Sequence, residues 1–343
     1  MKRVFSICIC LFLSATICLP FAATNAQVTT PASDFDFDAS KGEITGYHGA
    51  DANVVIPDSI SGVSVTSIGH AAFYGQNITS ITMPDTVTKI QSYAFYQCRS
   101  LKNVTYSKKL TDIWFYAFAY CNSLTSISLP DSLTTLNSKI FVKCTNLTDV
   151  ILPKHLRDIG VGTFAYTALT SITFPDSVIS IASQSFYGCS KLASATFAGN
   201  APSYGLGPYI FDNTAPSFSI YYYEGKTGFS TPIYQGYPCK PVYHVHIASG
   251  IYGGDITCES IAAVGNTVSL TITPDLGNSL YSLYYIDTSG KHVISGTSFV
   301  MPASDVTIYA KFILTFVYTF FAISIVFFLG LVTYGLWLAF RNR

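Results

Sequence analysis

Asp34-Phe35-Asp36-Phe37-Asp38 sets three carboxylates at alternate positions, the spacing at which a calcium loop offers its first oxygen ligands. Such a loop also needs glycine at its sixth place and glutamate at its twelfth. Counting from Asp34, those places hold Ala39 and Thr45, so the run reads instead as an edge strand with Phe35 and Phe37 turned inward and the aspartates in water. His244 and His246 lie two residues apart, which puts both rings on one face of a strand as two of the four ligands zinc normally takes. Nothing nearby in sequence completes the set, and no metal is assigned. No Ser, His and Asp constellation, Gly-rich phosphate loop or carboxylate pair stands out. The sequence therefore yields no catalytic residue, no cofactor and no metal ligand, and it reads as a non-enzymatic protein.

The elements that carry these side chains are set by a repeat. Ile78, Leu101, Leu124, Leu147, Leu169 and Leu192 open similar units at steps of 23, 23, 23, 22 and 23 residues. Their common pattern is L-T-S-I-x-L-P-D-x-V-T-x-I-x-x-x-A-F-x-x-C-x-x. A further copy, NVVIPDSISGVSVTSIGHAAFYGQN, precedes them and is stretched by an insertion at Ser61 to Ser64. In one unit Leu124, Ile127 and Leu129 face inward, while Thr125, Ser126 and Ser128 face solvent from a short strand. Pro130-Asp131 then ends the strand and turns the chain. Leu133 and Leu136 start a second inward segment, and pairs such as Ala94-Phe95 and Ala117-Phe118 put a ring inside beside a small residue. One unit cannot cover these faces alone. Seven stacked in register make a continuous apolar column, a β-rich solenoid with short helical turns.

Six cysteines follow the first 26 residues: Cys98, Cys121, Cys144, Cys189, Cys239 and Cys258. The first four share the twenty-first place of the repeat, three of them in consecutive units, with Thr167 in the unit before Cys189. An in-register ladder of three cannot pair completely, so these read as small buried thiols. Cys239 and Cys258 lie outside the ladder, and whether they pair stays open.

The pairs Leu-Pro-x-x-Leu-x-x-Ile and Ala-Phe-x-x-Cys, recurring with one period from Val54 to Phe197, resemble the BspA-type leucine-rich repeats of bacterial and protist surface antigens. FDFDASKGEITGYHG upstream resembles the hairpin that opens such domains. FAGNAPSYGLGPYIF with IYYYEGKTGFSTPIYQGYPC downstream resembles their closing segment. From Tyr243 to Phe312 alternating strands, ending in Met301 to Ile308, resemble internalin-type B-repeats, the small β-rich modules that stand as stalks on bacterial surface proteins. The resemblance implies a leucine-rich repeat solenoid at a cell surface, meeting other molecules along its strand face. The outward residues of that face are Ser80, Thr82, Asn103, Thr105, Ser126, Ser128, Asp149, Ile151, Ser171 and Thr173, with Tyr106 expected as an aromatic rim.

The ends complete the organisation. Lys2 and Arg3, an apolar run to Cys18 and the small residues to Ala26 form a signal peptide over 1–26. Phe312 to Phe340 is free of charged residues and long enough to span a bilayer. Tyr318, Tyr334 and Trp337 sit as interface aromatics, and Arg341 and Arg343 make a positive-inside stop, so a type I plasma-membrane topology with a cytosolic tail of 341–343 is expected. Between lie an N-terminal cap at 27–53, repeats at 54–198, a closing cap at 199–241, a β-rich stalk at 242–311 and the helix at 312–340. Net charge is zero, charged residues are 11%, and no basic run occurs, so nucleic acid is excluded as a partner. Asn77, Asn103 and Asn146 head sequons and are candidate glycosylation sites of a glycoprotein. The expected function is cell-surface adhesion, or binding of host or neighbouring-cell proteins, matrix or glycans, through the repeat face. The alternatives are a structural or antigenic coat protein with no dedicated ligand, or a receptor subunit that needs a signalling partner.

Overall fold

The computed structural model describes residues 29–315. The alternation of the repeat becomes a coil with two β arms. In the first arm, Asn53–Val55, Ser80–Thr82 and Asn103–Thr105 pair in parallel, each residue facing its equivalent one repeat on. Ser126–Ser128 pairs likewise with Asp149–Ile151, and Ser171–Phe174 with Ser194–Phe197. In the second arm, two-residue strands such as Lys89–Ile90 and Asp112–Ile113 stack isoleucine on isoleucine. The phenylalanine of the eighteenth place forms the spine. Phe73, Phe95, Phe118, Phe141, Phe164 and Phe186 are all fully buried. Their rings lie nearly parallel, with centroids 4.9, 4.9, 5.5, 5.6 and 5.4 Å apart.

The turn that carries this ring is not helical, contrary to the expected short helical turns. Residues at the sixteenth and twentieth places take the left-handed conformation in coil after coil, as at Tyr93, Gln97, Tyr116, Tyr120, Lys139 and Lys143. A left-handed residue breaks an α-helix, and each costs about 1–2 kcal/mol for a non-glycine side chain. The offset is a set of bonds between coils. The amides of Tyr93, Phe95 and Gln97 donate to the carbonyls of Phe115, Ala117 and Ala119 at 3.1, 2.7 and 2.9 Å. A regular helix would have spent those amides within its own turn. The cysteines join the same device: the Cys98, Cys121, Cys144 and Cys189 thiols donate to the carbonyls of Phe73, Phe95, Phe118 and Phe164 at 2.9 to 3.2 Å. All four are buried free thiols, and Cys239 and Cys258 are unpaired too.

At the N-terminal end, Phe35–Asp38 and Glu43–Tyr47 form an antiparallel hairpin whose second strand pairs with Ser67–Ile68. Phe35 is buried, Phe37 packs against the core and Asp36 is exposed, the edge-strand arrangement read from the sequence. The Tyr47 ring lies on Phe73 at 5.2 Å and closes the column. At the other end the expected cap at 199–241 holds one more coil. Phe211 continues the ring column 5.5 Å from Phe186, and Ser219–Tyr223 pairs in parallel with Ser194–Phe197.

The eleven-residue strand Tyr237–Ile247 then joins two cores. Its first half pairs with Ser219–Tyr223, and its second half with Ile261–Ala263 and Val306–Leu314. The solenoid core ends at Cys239 and the second core starts at Tyr243, so the boundary expected at 241/242 marks a change of core within one unbroken strand. The second unit is all β, a small module as read from the sequence.

Its last strand, Val306–Leu314, corrects the start of the apolar helix. Leu280, Ser279 and Asn278 pair antiparallel with Phe312, Ile313 and Leu314, and the Phe312 ring is buried in the second core. These apolar residues have a ladder and a core to satisfy them, so they belong to the module. The remainder of the expected helix, the cytosolic tail and the signal peptide lie outside the described residues. Among the described residues no helix is long and apolar enough to cross a membrane.

Candidate ligand-binding face

The strand arm brings together all ten outward residues named from the sequence. Asn103, Thr105, Ser126, Ser128, Asp149, Ile151, Ser171 and Thr173 are exposed, and Ser80 and Thr82 are half-buried. Within each sheet they form rows along the solenoid, Ser80 beside Asn103, Ser126 beside Asp149 and Ser171 beside Ser194. Tyr106 is not part of this face. It is 9% exposed, with its ring edge-on to Phe118, because the sixth place of each unit points into the coil.

The rows are broken twice. Asn103–Thr105 and Ser126–Ser128 lie in different sheets, and so do Asp149–Ile151 and Ser171–Phe174. Where sheets are continuous, the amide of the sixth place donates to the next coil, as from Leu129 to the Ile151 carbonyl at 3.1 Å. The amide of the second place donates to the coil before, as from Thr148 to Thr125 at 2.9 Å. At both breaks the equivalent amides, Tyr106 and Thr125 at the first and Leu152 and Thr170 at the second, donate no hydrogen bond among the described residues. The first break falls on a regular 23-residue step; the second falls on the 22-residue step, where Thr167-Ala168 leads into Leu169 without the residue that Asn146 supplies one coil earlier. The missing link sits directly before the strand, while the second arm beyond it still pairs Ile159 with Ile181.

A cleft of about 520 Å³ opens at this break. Its walls include Asp149, Ile151, Ser171 and Thr173 from the expected face, with Val150, Leu152 and Ile172 behind them. Ile151 is 66% exposed, an apolar side chain on an otherwise polar row. Lys154 stands at the edge, held by Asp131 of the preceding coil, whose carboxylate accepts from the Lys154 amide at 2.9 Å and from its ammonium at 3.0 Å. The same two contacts hold the Asp131 carboxyl below the usual carboxylate range. Sequence reasoning passed over Lys154, Val150 and Leu152, although the 22-residue step pointed to their coil. The cleft offers hydrogen bonds, an apolar lip and one cation, and brings no nucleophile against a base. It can bind.

The other sequence candidates are placed as follows. Asn77, Asn103 and Asn146 are exposed. The Asn77 side-chain carbonyl accepts from the Ser100 hydroxyl, and the Asn146 side-chain amide donates to the Asn122 backbone carbonyl at 2.8 Å. His244 and His246 share one face of their strand with rings 5.5 Å apart, and His244 stacks on Tyr223 at 5.0 Å.

Residues 66–224 match the BspA type leucine rich repeat region in six copies, and residues 243–315 match the divergent InlB B-repeat domain. Among solved structures, the Treponema pallidum leucine rich repeat protein is 29% identical over 58% of this chain and 87% of its own, with a TM-score of 0.46. A leucine rich cell surface protein from Faecalibacterium prausnitzii is 25% identical over 60% of this chain and 73% of its own, with a TM-score of 0.41. A leucine-rich repeat protein from Bacteroides capillosus is 35% identical over 29% of this chain and 78% of its own, with a TM-score of 0.27. No curated protein is similar enough to count as a match.

Proposed function

The chain belongs to the BspA-type leucine-rich repeat proteins, and from that premise we propose that it is a non-enzymatic cell-surface protein that binds a protein ligand through its strand face. The observation that carries this reading is the cleft between Asp149–Ile151 and Ser171–Phe174, where an exposed isoleucine lies among hydrogen-bonding side chains. An apolar anchor inside a polar rim is the composition of protein-binding patches. The continuous polar rows on either side let one ligand touch several coils and sum weak contacts. The surface location draws on the printed description of the Faecalibacterium relative as a cell surface protein. A type I anchor after the β module, with the module as spacer, completes the proposal.

The test compares adhesion of cells displaying the full-length chain with that of cells displaying Ile151→Glu or Thr173→Glu. Both side chains point to solvent, so folding should survive while attachment to host cells or matrix falls. Attachment equal to the parent, with correct folding verified by circular dichroism, would remove the strand face from the mechanism.

A further inference from the structure

The turns form a second surface that the strand-face reading leaves unused. Along the solenoid, the nineteenth place holds Tyr96, then Ala119, Val142 and Ala165, then Tyr187. Small side chains in successive coils, Val142 and Ala165 above the fully buried Ala119, thus make a floor closed at each end by tyrosine. The sixteenth place raises one wall with Tyr93, Tyr116 and Lys139, and the twentieth raises the other with Tyr120 and Tyr166, whose rings Lys143 lies over at the rim. With Gly162 and Gln184, the tyrosines, Lys139, Val142 and Ala165 line a trough of about 570 Å³.

The walls are rigid. Tyr93 and Tyr116 stack at 5.1 Å and 8°. Lys139 lies over Tyr116 at 5.4 Å, and Lys143 over both Tyr120 and Tyr166 at 5.3 and 5.7 Å. Their backbone is fixed as well, since the left-handed turns are bonded from coil to coil. Ordering the site on binding therefore costs little conformational freedom. Its polar groups are uncommitted. The hydroxyls of Tyr93, Tyr116, Tyr120, Tyr166 and Tyr187 make no hydrogen bond among the described residues, and neither lysine pairs with a carboxylate there.

We propose that this trough binds an acidic oligosaccharide, one whose sugar carries a carboxylate. Tyrosine rings present apolar surface to the C–H faces of a sugar, and their hydroxyls serve as donors and acceptors to its hydroxyls. The two ammonium groups, with no carboxylate of their own, supply the partner for the acid. A neutral sugar would use the rings and leave both cations unanswered. An acidic peptide would answer the cations but present no succession of hydroxyls to the phenols.

The probes are sialyllactose, lactose and a glutamate-rich peptide, titrated by calorimetry into the full-length chain in a mild detergent. Sialyllactose should bind at least about tenfold tighter than lactose, and added salt should weaken it as it screens the exposed lysines. Lys139→Gln with Lys143→Gln should bring sialyllactose down to the lactose level. Tyr166→Asn should weaken both sugars about tenfold, the loss of one stacking wall. Asn213 and Gly188 hold the same left-handed place in neighbouring coils, so asparagine keeps the backbone at this position. Thr173→Glu, on the strand face, should leave sugar binding unchanged, which separates this site from the one proposed above. The assignment is overturned if neither sugar binds, if lactose binds as tightly as sialyllactose, if Tyr166→Asn changes nothing, or if the peptide alone binds.

Discussion

The ring of Tyr106 stands edge-on to that of Phe118, with centroids 5.8 Å apart and planes at 77°, and its hydroxyl is buried without a hydrogen-bond partner among the described residues. Most other units place Met83, Leu129, Leu152 or Phe174 here, none of which carries a polar atom to satisfy. Burial pushes the phenol well above the usual tyrosine range. A buried donor left unmade costs on the order of 1–3 kcal/mol. Tyr106→Phe keeps the ring and removes the orphan, so stability against urea should rise by about 1 kcal/mol. A loss of stability would mean that the hydroxyl has a partner, such as a trapped water.

Phe118 itself lies between Phe95 and Phe141 in the ring column. Phe118→Ala empties a fully buried place that the neighbouring coils cannot fill, at about 3–5 kcal/mol. Because each coil is held by its neighbours, amide exchange should quicken in the coils of Phe95 and Phe141 together. A loss under about 1 kcal/mol would contradict the register that puts this ring in the column.

The thiol ladder gives a pH dependence whose sign follows from burial. Cys98 and Cys144 are pushed up to about 12, and Cys121 and Cys189 also rise, in each case first because burial disfavours the thiolate. An unfolded thiol ionises near pH ~8.5, so this contribution is complete below that pH and declines as pH climbs toward the folded value. The decline is about 1.4 kcal/mol per pH unit for each thiol. Urea unfolding at about pH 8 and pH 10 should therefore show a shallower loss in Cys144→Ala than in the parent, since one of the titrating groups is gone. Equal slopes would place Cys144 in contact with water. In the native protein these four thiols should also resist iodoacetamide, with Cys258, the half-exposed one, labelled first.

Positions repeated with one period, such as Phe118 and Cys144, could be placed because stacking gives each the same surroundings. Tyr106 is a residue type that suits an exposed rim, yet its sixth place turns it inward. The left-handed turns do not stand out in the sequence because glycine holds only some of these places, as at Gly75, Gly162 and Gly188, while Tyr93 and Lys139 hold the others through amides donated to the next coil. Phe312 reads as the start of an apolar helix because hydropathy carries no sign of a ladder partner such as Leu280. The tyrosine trough was hidden for a related reason: its places vary from unit to unit, and only stacking sets Tyr96 and Tyr187 at the two ends of one floor.

The cleft on the strand face tests how a single missing residue shapes a surface. Leu152 and Thr170 lack the bonds that Leu129 and Thr148 make, and the step between these coils is one residue short. Inserting an asparagine between Ala168 and Leu169 restores the spacing that Thr145-Asn146 gives before Leu147. Thr167 and Ala168 are buried at the insertion point, but the equivalent residue one coil earlier, Asn146, points to solvent, so the added asparagine should loop outward in the same way. Asp149–Ile151 should then pair with Ser171–Phe174, and exchange of the Leu152 and Thr170 amides should slow by about tenfold or more. The same pairing closes the cleft, so adhesion through this face should fall although Ile151, Ser171 and Thr173 are all still present. If exchange slows but adhesion persists, the polar rows and not the cleft hold the ligand. If exchange does not slow, the short step is not what parts the two sheets.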